Sequence, residues 1–286
     1  MTVLLSWNIQ NGKGCDGVIS LERIAAVIKA MGDADVICLQ EISRHLALSD
    51  GGAAADQIAV ISALFPGFVT IFGAAIEAAH DGAVPRWQFG NATLTRLPVT
   101  SVFHHPLPQP AQGGVRHMAR QATEVTVATP RGPLRVVNTH LEFHAASQRR
   151  AQIGRLRDIH QEIAANRRAP AKHDPAGPYQ DLARPEDCVM CGDFNIETNF
   201  DEYGAMLAPL AGGVDPFHDA WRIAHPDRPH DPTCGIHDRV QWPQGPHCRD
   251  FFFVSQSIAT AVQDVSVNTE TDASDHQPLL LCLADG

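Results

Sequence analysis

The chain has 286 residues, 44% of them hydrophobic, and a formal net charge of −10. That length suits one large α/β domain or two small ones. The acidic balance opposes a general high-affinity nucleic-acid binder, which carries a basic footprint, without excluding a local basic groove. No run approaches the roughly 18 apolar residues of a membrane span, and no amphipathic apolar arm points to a lipid surface.

Residues 3–7 form an apolar strand ending in Asn8. With no basic start and no long apolar core, this segment reads as a first strand rather than a secretory leader, so the expected compartment is the cytoplasm. Residues 21–28 have the apolar spacing of a helix packed on a sheet, with Ser20 as N-cap. Residues 35–40 form a second buried strand that ends in Glu41, and residues 53–64 repeat the helical pattern. Strand-like runs follow near 68–73, 89–95, 99–104, 121–128 and 133–139, the last ending in His140. A long helix covers 145–166, opened by Ser147 or the residues just before it. Arg149, Arg150, Arg155, Arg157, Arg167 and Arg168 fall on this helix and its end. A solvated helix face is the simpler reading of them, a basic groove the other.

Prolines 170, 175, 178 and 185 interrupt order across 169–187. Candidate site strands lie on both sides, so this is a surface insertion and not a domain linker. Residues 188–191 read as a buried strand leading into Gly192-Asp193-Phe194-Asn195. A second irregular stretch, 225–248, is rich in proline and histidine and carries Trp242 close to the site. Asp250 opens an apolar strand, and Asp275 and His276 precede another at 279–283. The expected organisation is one domain over 1–286 with two loop insertions.

Seven cysteines are present, and Cys38, Cys188, Cys191 and Cys282 sit in apolar runs as buried thiols. Their usage fits a reducing compartment. Cys188 and Cys191 form a CxxC inside a strand, a weak basis for redox or zinc chemistry. His140 and His144 have a spacing that could share zinc on a helix, but His140 ends a strand. Cys234, His237, His247 and Cys248 could hold structural zinc; the simpler reading is a loop packed over the site rim.

Strand ends are where rigid scaffolds present reactive groups. Asn8, Glu41, His140, Asp193 with Asn195, Asp250, and Asp275 with His276 all stand at such ends, which suggests one polar centre. In an extended chain Asp193 and Asn195 would face the same side. A carboxylate beside an imidazole is what water activation on a metal requires.

The segments Ser6-Trp7-Asn8-Ile9, Leu39-Gln40-Glu41, Gly90-Asn91-Ala92-Thr93-Leu94, Asn138-Thr139-His140-Leu141, Gly192-Asp193-Phe194-Asn195, Arg249-Asp250-Phe251 and Ser274-Asp275-His276 span nearly the whole chain. Together, and in this order, they resemble the endonuclease/exonuclease/phosphatase superfamily, the DNase I-like phosphoesterases. The resemblance implies an α/β (α+β) fold: a four-layered α/β/β/α sandwich of two packed mixed β-sheets flanked by helices. It implies hydrolysis of a phosphate ester by metal- and His-activated water, with Mg²⁺ as cofactor and Mn²⁺ as a substitute. Glu41 is the first choice for metal ligand, Asn8 a weaker oxygen donor beside it, and Asp275 completes the shell directly or through water. His276 is the candidate base, and Asp250 accepts its other N–H. Asp193 and Asn195 orient the nucleophile and hold a phosphate oxygen, and His140 contacts the phosphate or assists the leaving group. Rival assignments within the family place the base at Asp193 or His276.

Some positions depart from better-known members. Gln10 stands where DNA-repair relatives often have Asp, and Gln88 is the candidate for a missing glutamate partner of His140. Asn91 supports the site or forms a turn. A small phosphodiester or phosphomonoester is slightly favoured as substrate, with DNA or RNA cleavage as the alternative. A catalytically idle nucleic-acid-binding regulator on the same fold is the reading from another class. The intact set of site residues opposes it, since an idle protein has no physical need to hold like charges together.

Overall fold

Side-chain alternation on doubly buried strands sets the architecture. The computed structural model describes residues 1–47, 55–79, 86–182 and 184–285. Strand β1 (Thr2–Asn8) sends Leu4 into one core cluster and Leu5 into another. Strand β2 (Val36–Arg44) divides Val36 and Ile37 in the same way. Strands apolar at every position must be covered on both faces. On the outer face, helices α1 (Leu21–Met31) and α2 (Gln57–Leu64) pack Ile24, Ile28 and Ile61 against Leu5, Trp7, Ile37 and Leu39. Of the expected 53–64 helix, residues 53–54 lie outside the described residues.

Helix α1 begins where its cap predicts, with Ser20 accepting the Arg23 N–H at 3.1 Å. Ser20→Ala should cost about 0.5–2 kcal/mol. Thermal denaturation checks this, at roughly 2–4 °C per kcal/mol for a domain of this class.

The remaining strands are β3 (Val69–Ala78), β4 (Trp87–Thr95), β5 (Val99–Pro106), β6 (Gln121–Thr129), β7 (Gly132–His140), β8 (Cys188–Asp193), β9 (Phe217–Asp219), β10 (Asp250–Ser255), β11 (Val262–Val267) and β12 (Leu279–Leu283). They form two six-stranded sheets, ordered β11-β12-β1-β2-β4-β3 and β5-β6-β7-β8-β10-β9. Each sheet is mixed: β1/β2 and β7/β8 are parallel, and the other pairs are antiparallel. Val136, Val189 and Phe252 face the first sheet, whereas Val137, Met190 and Phe253 face helices α3 (Ala146–Arg168) and α4 (Asp201–Leu207). The result is the expected α/β/β/α order, the DNase I-like sandwich.

The sheets are cross-linked near the site by amides. Gln40 Nε2 donates to Asn138 Oδ1 at 2.8 Å, and Asn138 Nδ2 donates to the Ala92 carbonyl at 2.9 Å. Buried polar groups need such partners, and here the partners lie on opposite sheets.

Several expectations change. Strands β9 and β11 and the short helices α4, α5 (Ala220–Ala224) and α6 (Gln256–Ala259) were not anticipated, because short edge elements carry little periodicity. Helix α3 opens at the residues just before Ser147, one of the two expected starts; its N-cap Ala145 offers no side-chain bond, and Ser147 bonds Gln112. Of its arginines, Arg150, Arg167 and Arg168 are exposed, as the solvated-face reading expects, whereas Arg149 is buried. Arg157 donates to the carbonyls of Met206, Ala208 and Pro209, Arg168 to Gly212, and Arg149, Arg150, Arg155 and Arg167 pair with glutamates. Cys188 and Cys191 point to opposite faces of β8, as residues three apart in a strand must, so the CxxC cannot close on itself. Among the described residues, no helix is long and apolar enough to cross a membrane.

Candidate active site

The polar centre is assembled by hydrogen bonds between its own motifs. The indole N–H of fully buried Trp7 donates to the His276 carbonyl at 2.9 Å, and the Ser274 hydroxyl donates to the Asn8 carbonyl at 2.8 Å. The two ends of the chain are thereby clasped together. Across the second sheet, register pairs His140 with Asp193, and Asp193 with Asp250. Gly192 permits this: a Cβ there would overlap the Thr139 carbonyl oxygen on β7.

Glu41 reaches the site through a bulge and not through a strand end. The β2/β4 register shifts between Leu39 and Ile42, Glu41 takes φ +55°, and the strand continues to Arg44. Left-handed backbone is uncommon outside glycine, and bulges commonly re-aim a side chain. Burial, then the Asp275 charge, pushes the Glu41 carboxyl up to about 7. Asn195 also departs from the extended reading. It takes φ +53°, its N–H donates to Asp193 Oδ1 at 2.9 Å, and its Nδ2 donates to the Leu141 carbonyl at 2.9 Å. A turn therefore brings Asp193 and Asn195 together.

Asn8 offers nitrogen to the carboxylates. Its Nδ2 donates to Glu41 at 3.2 Å and Asp193 at 3.0 Å, while its Oδ1 is taken by the Gln10 N–H. The amide braces the two acids.

His276 is 2% exposed, and its Nδ1 lies 2.8 Å from Asp250 Oδ2. Burial opposes its charge, but Asp250, Asp193 and Asp275 outweigh that and raise its pKa well above the ordinary histidine value. Asp193 is also opposed by burial, yet the two histidines, the Asn195 N–H and Asn8 bring it below the usual carboxylate range. Thr233, fully buried, accepts the N–H groups of Arg249 and Asp250, so its own hydroxyl hydrogen goes to Asp250 Oδ2 at 2.6 Å. That hydroxyl fixes the carboxylate that orients His276.

His140 has a different charge state. Its Nε2 lies 3.2 Å from Asn195 Nδ2, an amide already oriented by Leu141, so Nε2 accepts and Nδ1 carries the hydrogen. Burial, then the Arg120 charge, drives its pKa down to about 3, and the ring is neutral near pH 7. Its Nδ1 is buried without a partner.

Glu41, His140, Asp193, Asn195, Asp275 and His276 line one cleft of about 830 Å³; Asn8 and Asp250 stand behind them. The 225–248 stretch forms a wall, as the rim reading expects. Gln241 and Trp242 donate to Asp275 Oδ2 at 2.8 and 3.2 Å, and the Trp242 ring meets His276 edge-on at 5.7 Å.

Neither zinc idea survives. His237 bonds the Thr269 carbonyl, Cys248 the Asp250 carbonyl, and Cys234 meets only His247 of the set. Residues 141–144 are not helical, so His144 does not join His140. Gln88 bonds Glu77 and Arg44 and is no partner of His140. Asn91 is buried within β4, which removes the turn reading. Among the described residues, Asp193, Asp250 and His276 are the one group of three acidic, His or Cys side chains with ligand atoms all within 4.8 Å. Asp250 Oδ2 is bonded to both His276 and Thr233.

Sequence reasoning missed Arg120, Glu142 and Thr233. Arg120 precedes a strand start, whereas most of the legible site residues close an apolar run. Antiparallel pairing of Ala122 with Thr139 brings that start beside His140.

The family model of the endonuclease/exonuclease/phosphatase family matches residues 5–276. The chain belongs to this family. A family structure from Beutenbergia cavernae is similar, with 25% identity and TM-score 0.66, over 99% of this chain and 72% of that one. A mannosyl-6-phosphatase from Bacteroides thetaiotaomicron has 18% identity and TM-score 0.69, over 99% and 100% of the two chains. The 3′ phosphatase NExo from Neisseria, a substituted form bound to a product DNA hairpin, has 17% identity and TM-score 0.61, over 99% of each. No curated protein matches the chain. A mannosyl-6-phosphatase and a 3′ phosphatase thus share this fold, so the fold does not choose the substrate.

Proposed function

We propose that the protein is a divalent-metal-dependent phosphoesterase acting on a small phosphate ester, working in the cytoplasm. The carrying observation is the cleft floor, where Glu41, Asp193 and Asp275 converge with His140 and His276, and where Arg116 and Arg120 also line the cleft. Like charges at such density call for a counter-ion. Glu41 and Asp275 fit a hard cation: both are carboxylates, both are raised by burial, and Glu41 keeps 26% of its side chain open to the cleft. Oxygen donors of this kind suit Mg²⁺, with Mn²⁺ as substitute. When bound, the ion supplies charge neutralisation at the phosphate and a lowered water pKa.

The chain's own groups divide the remaining work. Asp193, ionised, takes a proton from the attacking water, and His276 stands beside it with Nε2 at 3.7 Å. The raised pKa of His276 makes it imidazolium in the resting site, a donor to phosphate, and its base role passes to Asp193 in that charge state. His140, neutral, donates from Nδ1 to a phosphate oxygen and does not protonate the leaving group. Supporting the compartment, all seven thiols are free. Arg149 and Arg157 of α3 are spent on internal partners, which weighs against a nucleic-acid groove there.

The test is turnover of sugar, nucleoside and chromogenic phosphates, and of single- and double-stranded DNA and RNA, with Mg²⁺, Mn²⁺ or EDTA. Metal-dependent cleavage of a small ester, lost in His276→Ala, is the expected result. Cleavage of nucleic acid alone would reverse the substrate choice, and silence on every substrate would favour the regulator.

A further inference from the structure

Arg120 is 7% exposed, and its Nη1 is buried with no partner. Its Nε donates to Glu142 Oε2 at 3.3 Å. Glu142 is itself 1% exposed and accepts the N–H groups of Met118 at 3.2 Å and His144 at 2.9 Å. The guanidinium is therefore aimed before any ligand arrives. The other orphan donor in the site is His140 Nδ1, and both residues line the same cleft. Leaving a buried donor unsatisfied costs about 1–3 kcal/mol. Two such donors bordering one cleft describe an anion site awaiting its anion.

We infer that Arg120, together with His140, grips the non-bridging oxygens of a terminal phosphate and thereby selects phosphomonoesters over phosphodiesters. The inference rests on the phosphoesterase reading and names its substrate class. A monoester presents three non-bridging oxygens and, near neutral pH, a double negative charge. A diester presents two such oxygens and a single charge. Arg120 Nη1 and His140 Nδ1–H offer two fixed donors to the oxygens of the monoester, and the guanidinium meets its second negative charge. A diester puts an esterified oxygen in place of a charged one and so weakens that pairing, and sites reject ligands chiefly by what they leave unpaired. Arg120 also holds a fixed cation opposite the phosphate, where guanidinium geometry is stronger than a point charge.

The experiment compares p-nitrophenyl phosphate with bis(p-nitrophenyl) phosphate, which share a leaving group, on Mg²⁺-loaded wild type, Arg120→Lys and Arg120→Gln. The readout is the monoester-to-diester ratio of kcat/KM, which does not depend on the fraction of folded protein. Arg120→Gln should lower that ratio by about tenfold to a hundredfold, and Arg120→Lys by less. A ratio unchanged in both variants overturns the inference. Calorimetric titration with inorganic phosphate and dimethyl phosphate adds a readout without turnover. Phosphate should bind wild type at least about tenfold more tightly, and Arg120→Gln should lose that advantage. Equal binding of the two anions by wild type, or no binding of either, also overturns it. If neither ester turns over with any metal while the phosphate advantage depends on Arg120, the anion grip stands and the phosphoesterase reading falls.

Discussion

His276→Ala should lower kcat/KM by about a hundredfold to ten-thousandfold, the usual scale for a positioned proton-transfer group. The ring has two neighbours that define its work, Asp250 on Nδ1 at 2.8 Å and Asp193 near Nε2 at 3.7 Å. Asp193→Asn should cause a loss of similar size, because it removes the carboxylate that takes the water's proton beside His276. The double variant should then lose little more than either single one, since groups acting as a unit are grossly non-additive. Losses that multiply would show the two residues acting independently. Full activity in a folded His276→Ala protein would remove it from the chemistry altogether. Stability carries a sign of its own. A histidine with a raised folded pKa stabilises fully below its unfolded value near 6.5 and loses that contribution only as pH rises through the folded value. The alanine variant should therefore be less stable than wild type at pH 6 and 7, with the gap narrowing in alkaline solution. Thermal unfolding across pH measures it, and it must be scored separately from turnover.

What the sequence made legible follows from what each motif does. The doubly apolar strands around Leu4-Leu5, Val36-Ile37 and Val189-Met190 announce a sheet covered on both faces, and the sandwich follows. The polar residues that end these strands were legible because they interrupt apolar runs. Backbone excursions were not. Glu41 and Asn195 both hold left-handed φ, and a bulge or a turn leaves no mark in a periodicity count. Hydrogen-bond polarity was hidden too: that Asn8 turns its nitrogen to Glu41 and Asp193 and its oxygen to the Gln10 N–H is set by the fold. Arg120 and Thr233 escaped for a third reason. Their importance comes from pairing distant segments, Arg120 with Glu142 and Thr233 with Asp250, and neither segment is unusual alone.

Glu41→Gln should weaken Mg²⁺ binding by at least about tenfold to a hundredfold, the loss that even outer-shell partners of a metal produce. Activity should fall in parallel, because the substitution removes a charged ligand and little volume. The proton linkage sharpens the test. Burial and the Asp275 charge hold the Glu41 carboxyl near 7, against an ordinary 4.5. Between those values the folded protein keeps a proton that the unfolded chain releases. Without metal, stability therefore declines as pH rises from 4.5 to 7. A cation reverses the balance, since it binds the ionised carboxylate and displaces the proton. Below pH 7 the Mg²⁺ affinity should fall by up to about tenfold per pH unit. In Glu41→Gln there is no such proton to displace, and the dependence should flatten toward whatever Asp275 alone contributes. Saturating metal at about 100 times its Kd adds about 2.7 kcal/mol to stability. At fixed Mg²⁺, the rise in Tm should thus be larger at pH 8 than at pH 6 in wild type, and small at both in the variant. Equal rises in the two proteins would place the ion elsewhere in the cleft, with Asp193 and Asp275 as its remaining carboxylate partners, and would leave the bulge at Glu41 serving the substrate instead.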